Sequence, residues 1–224
     1  MTQSQWGYRA TGDSRLRTSG NFPNWHGKHL TDYPRPSVAV DTAVLTVREG
    51  TLSIALADTA GGRRLPGTFL HEGETLADAV RRSLETKAGI RGLVPQQLHV
   101  FDAPGRDSRG WVLSVAHLLA VRSDALEHVE LVPVTDAVGL AFDHDEIVRL
   151  ALTRLREVHR EHPDPFGLLG EEFTLLELQR LHDAIDPATP KRDTFRRTML
   201  RALVETGDIR QRTVGKPARL FRHA

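Results

Sequence analysis

The sequence predicts an α+β fold in two modules: a mixed sheet with helices packed on it, then a helix-turn-helix closed by a β-hairpin. Three observations predict it. Residues 37–134 carry apolar strand runs around one amphipathic helix, His162-Pro163-Asp164-Pro165 halts the long helix that follows, and charge is divided unevenly along the chain. Residues 189–224 hold ten basic side chains against three acidic ones, +7, whereas residues 1–188 hold 20 against 26, −6. The formal net charge of +1 therefore conceals two segments of opposite sign, and a polyanion becomes a candidate partner for the second. The 224 residues are 39% hydrophobic and 26% charged, enough for one large core or two small ones. With no cysteine, disulfides, thiolate zinc sites, iron–sulfur ligation and thiol nucleophiles are excluded, and a reducing compartment fits. No apolar run approaches the ~20 residues of a membrane span. The N-terminal stretch lacks the apolar core of a secretory signal, so a cytoplasmic location without membrane association is expected.

Residues 1–36 are rich in Gly, Ser, Thr, Pro and Asn without period and predict a mobile extension, either a solvated tail or an arm contacting DNA or a second copy. From Ser37 the texture is that of strands: VAVDTAVLTV, then LSIALA after the Glu49-Gly50 turn, later WVLSVAHLLAV and HVELVPV. One amphipathic helix, Thr75 to Ala88, lies between them. A second starts at Asp143, which can cap with Glu146, and carries Ile147, Leu150, Ala151, Leu155 and Val158 on one face. The two prolines at 163 and 165 stop it. This divides the chain into a first domain at 37–162, a linker at 163–170 and a second domain at 171–224.

The second domain opens on the capping box Thr174-x-x-Glu177, with Leu175, Leu178, Leu181 and Ile185 apolar, and breaks at Asp186-Pro187. A further helix is expected from Pro190 to about Glu205, with Thr189 as its N-cap. Phe195, Met199, Ala202 and Leu203 share one face of it, and Thr194, Thr198, Arg197 and Arg201 the opposite one. Gly207 and two short strands around Gly215-Lys216-Pro217 follow. Helix, turn, helix and hairpin in about fifty residues is the winged-helix pattern, and a solvated charge run does not explain the +7 placed on it.

The segment Leu65 to Ile90, LPGTFLHEGETLADAVRRSLETKAGI, resembles the Nudix box, G-x5-E-x7-R-E-U-x-E-E-x-G-U with U aliphatic. Glu74, Arg82, Leu84, Gly89 and Ile90 stand at its Glu, Arg, aliphatic, Gly and aliphatic positions; Thr68 replaces the first Gly. In Nudix hydrolases the three glutamates after the arginine share one helical arc of about 100° and hold Mg²⁺ against a pyrophosphate. Here those positions are Ser83, Thr86 and Lys87. Glu85 lies on the neighbouring face, and Glu72, Glu74 and Asp78 make a poor substitute shell. The resemblance therefore implies a Nudix-like mixed-sheet α/β/α domain without catalytic or metal-binding residues, followed by a C-terminal winged helix-turn-helix domain.

This combination resembles the Nudix-related transcriptional regulators of NAD metabolism, over about residues 33–224. Besides the box it rests on Asp32-Tyr33-Pro34-Arg35-Pro36, on Phe101-Asp102-Ala103-Pro104-Gly105-Arg106-Asp107-Ser108-Arg109-Gly110 followed by Val112, Ser114, Val115 and Ala116, and on Leu140-Ala141-Phe142-Asp143-His144-Asp145-Glu146-Ile147. It rests also on Phe173-Thr174-Leu175-x-Glu177-Leu178-Gln179, Phe195-Arg196-Arg197 and Gly215-Lys216-Pro217-Ala218-x-Leu220-Phe221-Arg222. The resemblance implies a repressor of NAD synthesis or salvage genes that binds palindromic operator DNA as a homodimer. Its effector would be ADP-ribose or a related NAD-derived nucleotide, and no cofactor would be required. Two alternatives are weighed against it: an ADP-ribose pyrophosphatase with a noncanonical metal site, and a sensor acting on a protein partner.

For DNA, Lys191 and Arg192 sit where the expected helix starts and phosphate is favoured, Thr194, Arg196, Arg197 and Arg201 line its outer side, and Arg210, Arg212, Lys216 and Arg219 lie on the wing. For the effector, Arg106 and Arg109 suit phosphate or ribose, with Asp107 either accepting from a ribose or orienting Arg106; a plain turn with an internal salt bridge is the alternative. His144 either binds the ligand or caps and packs its turn. Arg82 either donates to the diphosphate or holds a loop through Glu74. The Pro163–Pro165 segment and the helix from Asp143 are the expected transmitters.

Overall fold

A computed structural model describes residues 27–126, 129–211 and 217–224 of the chain. The N-terminal extension lies largely outside the described residues, as do Arg212 and Lys216. Residues 27–35, a unit of their own, carry one 3-10 turn at Leu30–Asp32. Residues 36–224 form a single compact unit.

The first strand, β1 (Ser37–Arg48), is twelve residues long, and its length organises the sheet. Its C-terminal end pairs antiparallel with β2 (Thr51–Ala55) through the two-residue turn Glu49-Gly50, with φ of +52° and +77°. Both positive values are what a tight hairpin of matching twist requires. Its N-terminal end pairs antiparallel with β3 (Gly67–Phe69), and its other edge runs parallel to β5 (Val112–Ala120). β4 (Gln96–Phe101) and β6 (Leu131–Pro133) complete the mixed sheet, in the order β4-β5-β1-β2-β6. The short β3 and the largely exposed edge strand β4 escaped sequence reading because neither carries an apolar alternation.

Alternate residues of β1 feed two cores. Val40 and Val44 pack with Ala79, Val80 and Leu84 of helix α1 (Leu76–Ala88), and Ala43 and Leu45 with Ile147, Ala151 and Leu155 of helix α2 (His144–Glu161). The result is the α/β/α arrangement that was expected. In α1 the Thr75 hydroxyl accepts from Asp78 N–H at 3.2 Å, the Asp78 carboxylate accepts from Thr75 N–H at 3.0 Å, and Gly89 ends the helix at φ +65°.

α2 differs from expectation at its start. Asp143 caps nothing with its side chain, because Arg106 takes its carboxylate; Asp145 instead accepts from Gly139 and Leu140 N–H at 3.0 and 2.9 Å. The segment after the helix is folded. Asp164, 2% exposed, accepts from Leu168 and Leu169 N–H at 2.9 and 2.7 Å, and Phe166, Leu168 and Leu169 pack on the sheet core.

β7 (Phe173–Thr174) leads into helix α3 (Leu175–Ile185) with the predicted Thr174/Glu177 capping box, both of its hydrogen bonds present. α3 serves two cores at once: Leu181 and Ile185 join the sheet core, while Leu178 joins Phe173, Phe195, Met199 and Phe221. The next helix is shorter than expected. α4 spans Arg192–Met199, a 3-10 turn follows at Leu200–Ala202, and β8 (Leu203–Arg210) pairs with β9 (Ala218–His223). Leu203 and Glu205 lie in that strand, and Gly207 sits inside it at φ +89°, where the pairing register shifts. Cross-strand pairing outweighs a helix propensity that is only a weak prior. Lys191, not Thr189, occupies the N-cap; the Thr189 hydroxyl instead donates to the carbonyls of His182 and Asp186 at 2.9 and 2.7 Å, closing the end of α3.

Candidate functional site

The Nudix-like helix and its loop are joined by Arg82. Its Nε and Nη2 donate to Glu74 at 2.7 and 2.8 Å, Nη2 also to the Phe69 carbonyl at 2.9 Å, and Nη1 to the Thr68 hydroxyl at 3.0 Å. The Arg82 side chain and the His71 N–H hold the Glu74 carboxyl down at about 2. Of the two roles open to Arg82, this geometry fits the loop clamp.

The 104–110 loop closes on an internal salt bridge, the alternative the sequence left open, while Arg106 pairs outside the loop. Asp107 orients Arg109, not Arg106: its Oδ1 accepts from Arg109 N–H and Nε at 2.9 Å each, and its Oδ2 from Nη2 at 2.6 Å, which brings its pKa to about 2. Arg106, its side chain 4% exposed, forms a two-pronged pair with Asp143, with Nε 2.7 Å from Oδ2. Arg109 keeps 57% of its side chain exposed and stands with Cζ 5.4 and 5.1 Å from the ring centres of Phe69 and Phe142. Both rings are exposed, and Phe142 adopts φ +62°, a left-handed conformation rare for a large side chain. The two phenylalanines were not among the expected site residues. Phe142 lies in the Leu140–Ile147 block of the resemblance and Phe69 within the Nudix-like segment, and neither stood out there by residue type.

Behind this platform His144 is buried. Its Nδ1 accepts from Leu65 N–H at 3.0 Å, so its Nε2 carries the proton, 3.5 Å from Asp41 Oδ1. Asp41 Oδ2 accepts from the Ser114 hydroxyl at 2.5 Å. Burial pushes the Asp41 carboxyl up, but His144, Ser114 and the Arg106 charge outweigh it and leave it below its ordinary value. His144 therefore packs and joins strands, and Arg109 is the exposed member of the expected effector set. On the neighbouring side the Lys87 ammonium donates to the Gly67 carbonyl.

At the other end of the unit Lys191, Arg192, Thr194, Arg196, Arg197 and Arg201 are all exposed, while Phe195 and Met199 face inward. A cleft of about 680 Å³ between α3, α4 and the hairpin gathers Gln179, Arg192, Arg196 and Arg219. Gln179 was not among the expected DNA contacts, although it lies in the Phe173–Gln179 block that carries the family resemblance. Two wing arginines are partly committed: Arg210 to Glu177 and, at 3.3 Å, to the Glu172 carbonyl, and Arg219 to Glu205 at 3.1 Å. Arg197 and Arg201 stand outside the cleft, and Lys216 lies outside the described residues.

A family model described as the NrtR DNA-binding winged helix domain matches residues 165–223. The ADPR responsive transcriptional repressor NtrR of Acinetobacter baylyi is 31% identical over 211 residues, 87% of this chain and 84% of its own. The chain belongs to the NrtR family. Shewanella oneidensis NrtR in complex with a 27mer DNA superposes on this NrtR-family chain with a TM-score of 0.70 at 29% identity, covering 84% of this chain and 93% of that one. The NUDIX domain of the same protein with ADP ribose superposes with a TM-score of 0.51 at 25% identity, covering 58% and 95%. An ADP-ribose pyrophosphatase of Methanocaldococcus jannaschii is 32% identical over 125 residues, 52% of this chain and 73% of its own.

The Nudix metal does not fit the donors of this NrtR-family chain. Ser83 is 1% exposed with its hydroxyl unpartnered among the described residues, and the Thr86 hydroxyl donates to the Arg82 carbonyl of its own helix at 2.7 Å. Glu74 is held by Arg82, Asp78 by the Thr75 cap and Arg81, and Glu85 by Arg91 at 2.7 Å. Among the described residues no three His, Asp or Glu side chains converge on a point that could hold a cation.

Proposed function

We propose that the chain is a DNA-binding repressor of NAD synthesis or salvage genes whose Nudix-like domain senses ADP-ribose without hydrolysing it. The observation that carries this reading is the sharing of α3. One helix supplies Leu181 and Ile185 to the sensor core and Leu178 to the winged-helix core, so a change at one module is felt in the packing of the other. The A. baylyi and S. oneidensis relatives, one named for its response to ADP-ribose and the other solved with DNA and with ADP ribose, support the same assignment. Operator contacts come from Lys191, Arg192, Thr194, Arg196, Arg197 and Arg201 on and beside α4, with Arg210 and Arg219 on the hairpin and Lys216 between them in sequence. Arg109 with Asp107 contacts the effector, with Arg106, His144 and Arg82 shaping the site behind it. Reading a palindrome requires two-fold symmetry, so the active form is a homodimer, working in the cytoplasm where the DNA is. No described helix is long and apolar enough to cross a membrane.

If ADP-ribose binds the arrangement that holds DNA less well, it lowers DNA affinity by the factor by which DNA lowers its own. A gel shift on promoter DNA of NAD synthesis and salvage genes tests this: saturating ADP-ribose releases the protein, and an unchanged shift removes ADP-ribose as effector. Operator affinity should also fall steeply with added salt, as many phosphate contacts require; a flat response would argue for a protein partner instead. Incubation with Mg²⁺ and ADP-ribose should yield no AMP and ribose phosphate, and their appearance would restore the pyrophosphatase reading.

A further inference from the structure

We propose that the Lys87 ammonium stands in place of the Nudix divalent cation and holds the diphosphate of the effector, so that effector binding requires no metal. The inference rests on the ADP-ribose reading above. Lys87 occupies the last of the three positions at which the Nudix pattern carries its metal carboxylates. Of the other two, Ser83 is buried, and Thr86 is exposed with its hydroxyl spent on its own helix. Lys87 alone of the three reaches off the helix, to the Gly67 carbonyl at the start of β3. The start of β3 is tightly seated. A Cβ on Gly67 would lie 1.9 Å from Asp41 Oδ1, so a carbonyl, a buried carboxylate and the ammonium meet within a few ångströms.

The charges around this point favour an anion. Arg64 acts electrostatically on Lys87 and makes no ion pair among the described residues, whereas the Arg82 guanidinium is committed to Glu74, Thr68 and Phe69. Asp41, the carboxylate nearby, is already held by Ser114 and faces the His144 ring. Neither Lys87 nor Arg64 makes an ion pair among the described residues, although the Asp41 carboxylate acts on Lys87 from nearby, and Lys87 stands at a position where a hydrolase sets a carboxylate. An ammonium there meets a phosphate oxygen directly with a point charge and three donors, and it repels Mg²⁺. It also withholds the chemistry of a bound metal, which makes a nucleophile of water; the nucleotide is bound and stays whole. Partial burial, with the Arg64 and Arg82 charges, lowers the Lys87 pKa against the opposing pull of the Asp41 carboxylate, which raises the reactivity of its amine at neutral pH.

Two measurements on the full chain test this. Calorimetric titration with ADP-ribose in EDTA and in Mg²⁺ should give the same affinity in both. Lys87→Gln should weaken it by about tenfold or more, as loss of one charge-assisted hydrogen bond implies, while Lys87→Arg retains most of it. Independently of any variant, acetylation followed by mass spectrometry should show Lys87 protected by ADP-ribose and Lys191 unprotected. Wild-type binding that collapses in EDTA, Lys87→Gln that folds and binds like wild type, or Lys87 labelling indifferent to ADP-ribose each overturns the inference and leaves the effector reading standing. Absence of binding in both buffers overturns that reading, and this inference with it.

Discussion

Arg106 and Arg109 lie three positions apart in one loop and end in opposite surroundings, the first buried against Asp143 and the second exposed over Phe69 and Phe142. Their residue type suits phosphate or ribose; their division of labour was not legible, because the partner of Arg106 lies 37 positions further on. Arg106 does its work inside the protein. Truncation to Ala would leave the Asp143 carboxylate uncompensated at the start of α2 and is expected to cost about 3 kcal/mol, the scale of breaking a buried pair from one side. Denaturant unfolding measures this, and a loss below about 1 kcal/mol would place the pair among weak surface contacts. Histidine 144 teaches the same lesson. Its turn was visible in the sequence, but its bond to Leu65 N–H, 79 positions away, exists only in the folded chain.

At the scale of elements, the Thr174 capping box was legible because it is local, whereas the equally local Asp143 cap fails because a distant arginine takes its carboxylate, and the Thr75 box was not read. Thr75 with Asp78 and Thr174 with Glu177 close within a single turn. The length of α4 was not legible, since β9 competes for Leu203–Arg210 and lies beyond the wing. The packing of α2 on α3 carries a pH dependence. His159, 1% exposed, donates from Nδ1 to the Leu155 carbonyl, stacks on Phe166 at 5.7 Å and meets the His182 ring edge-on at 5.3 Å. Burial drives its pKa down to about 4 from an ordinary 6.5, despite the Leu155 bond. The unfolded imidazole therefore takes a proton that the folded one refuses between these values, so stability falls as pH drops through this window and levels off below about 4. The loss is at most about 3 kcal/mol. Burial lowers His182 as well and adds to the loss. Asp186 adds to it at lower pH, since the Ala188 N–H and Arg160 outweigh burial and hold it low; Asp164, raised by burial, opposes it. Urea unfolding at pH 7 and pH 4.5 should show the decline, and His159→Phe should reduce it; equal slopes for the two proteins would remove His159 as its source.

On the scale of the whole molecule, the charge division of −6 and +7 marks two tasks, yet the two cores are joined through α3. Residues 36–224 should therefore melt in one cooperative transition, with calorimetric and van't Hoff enthalpies in agreement. Leu181→Ala, which opens a cavity in the sheet core, should lower that transition as a whole by about 2–5 kcal/mol of stability; two resolved transitions would show that the modules unfold apart. The sequence by itself determined the fold class, the basic winged helix, the capped start of α3 and the presence of Ser83, Thr86 and Lys87 where the Nudix pattern carries glutamates. All of these are written in residue type and short spacing. Only the tertiary structure decided which arginine is a buried strut and which is exposed, where α4 ends, that Lys87 turns onto Gly67, and that one helix belongs to both cores. Those outcomes depend on contacts between segments tens of residues apart, and local pattern carries no record of which distant group will arrive.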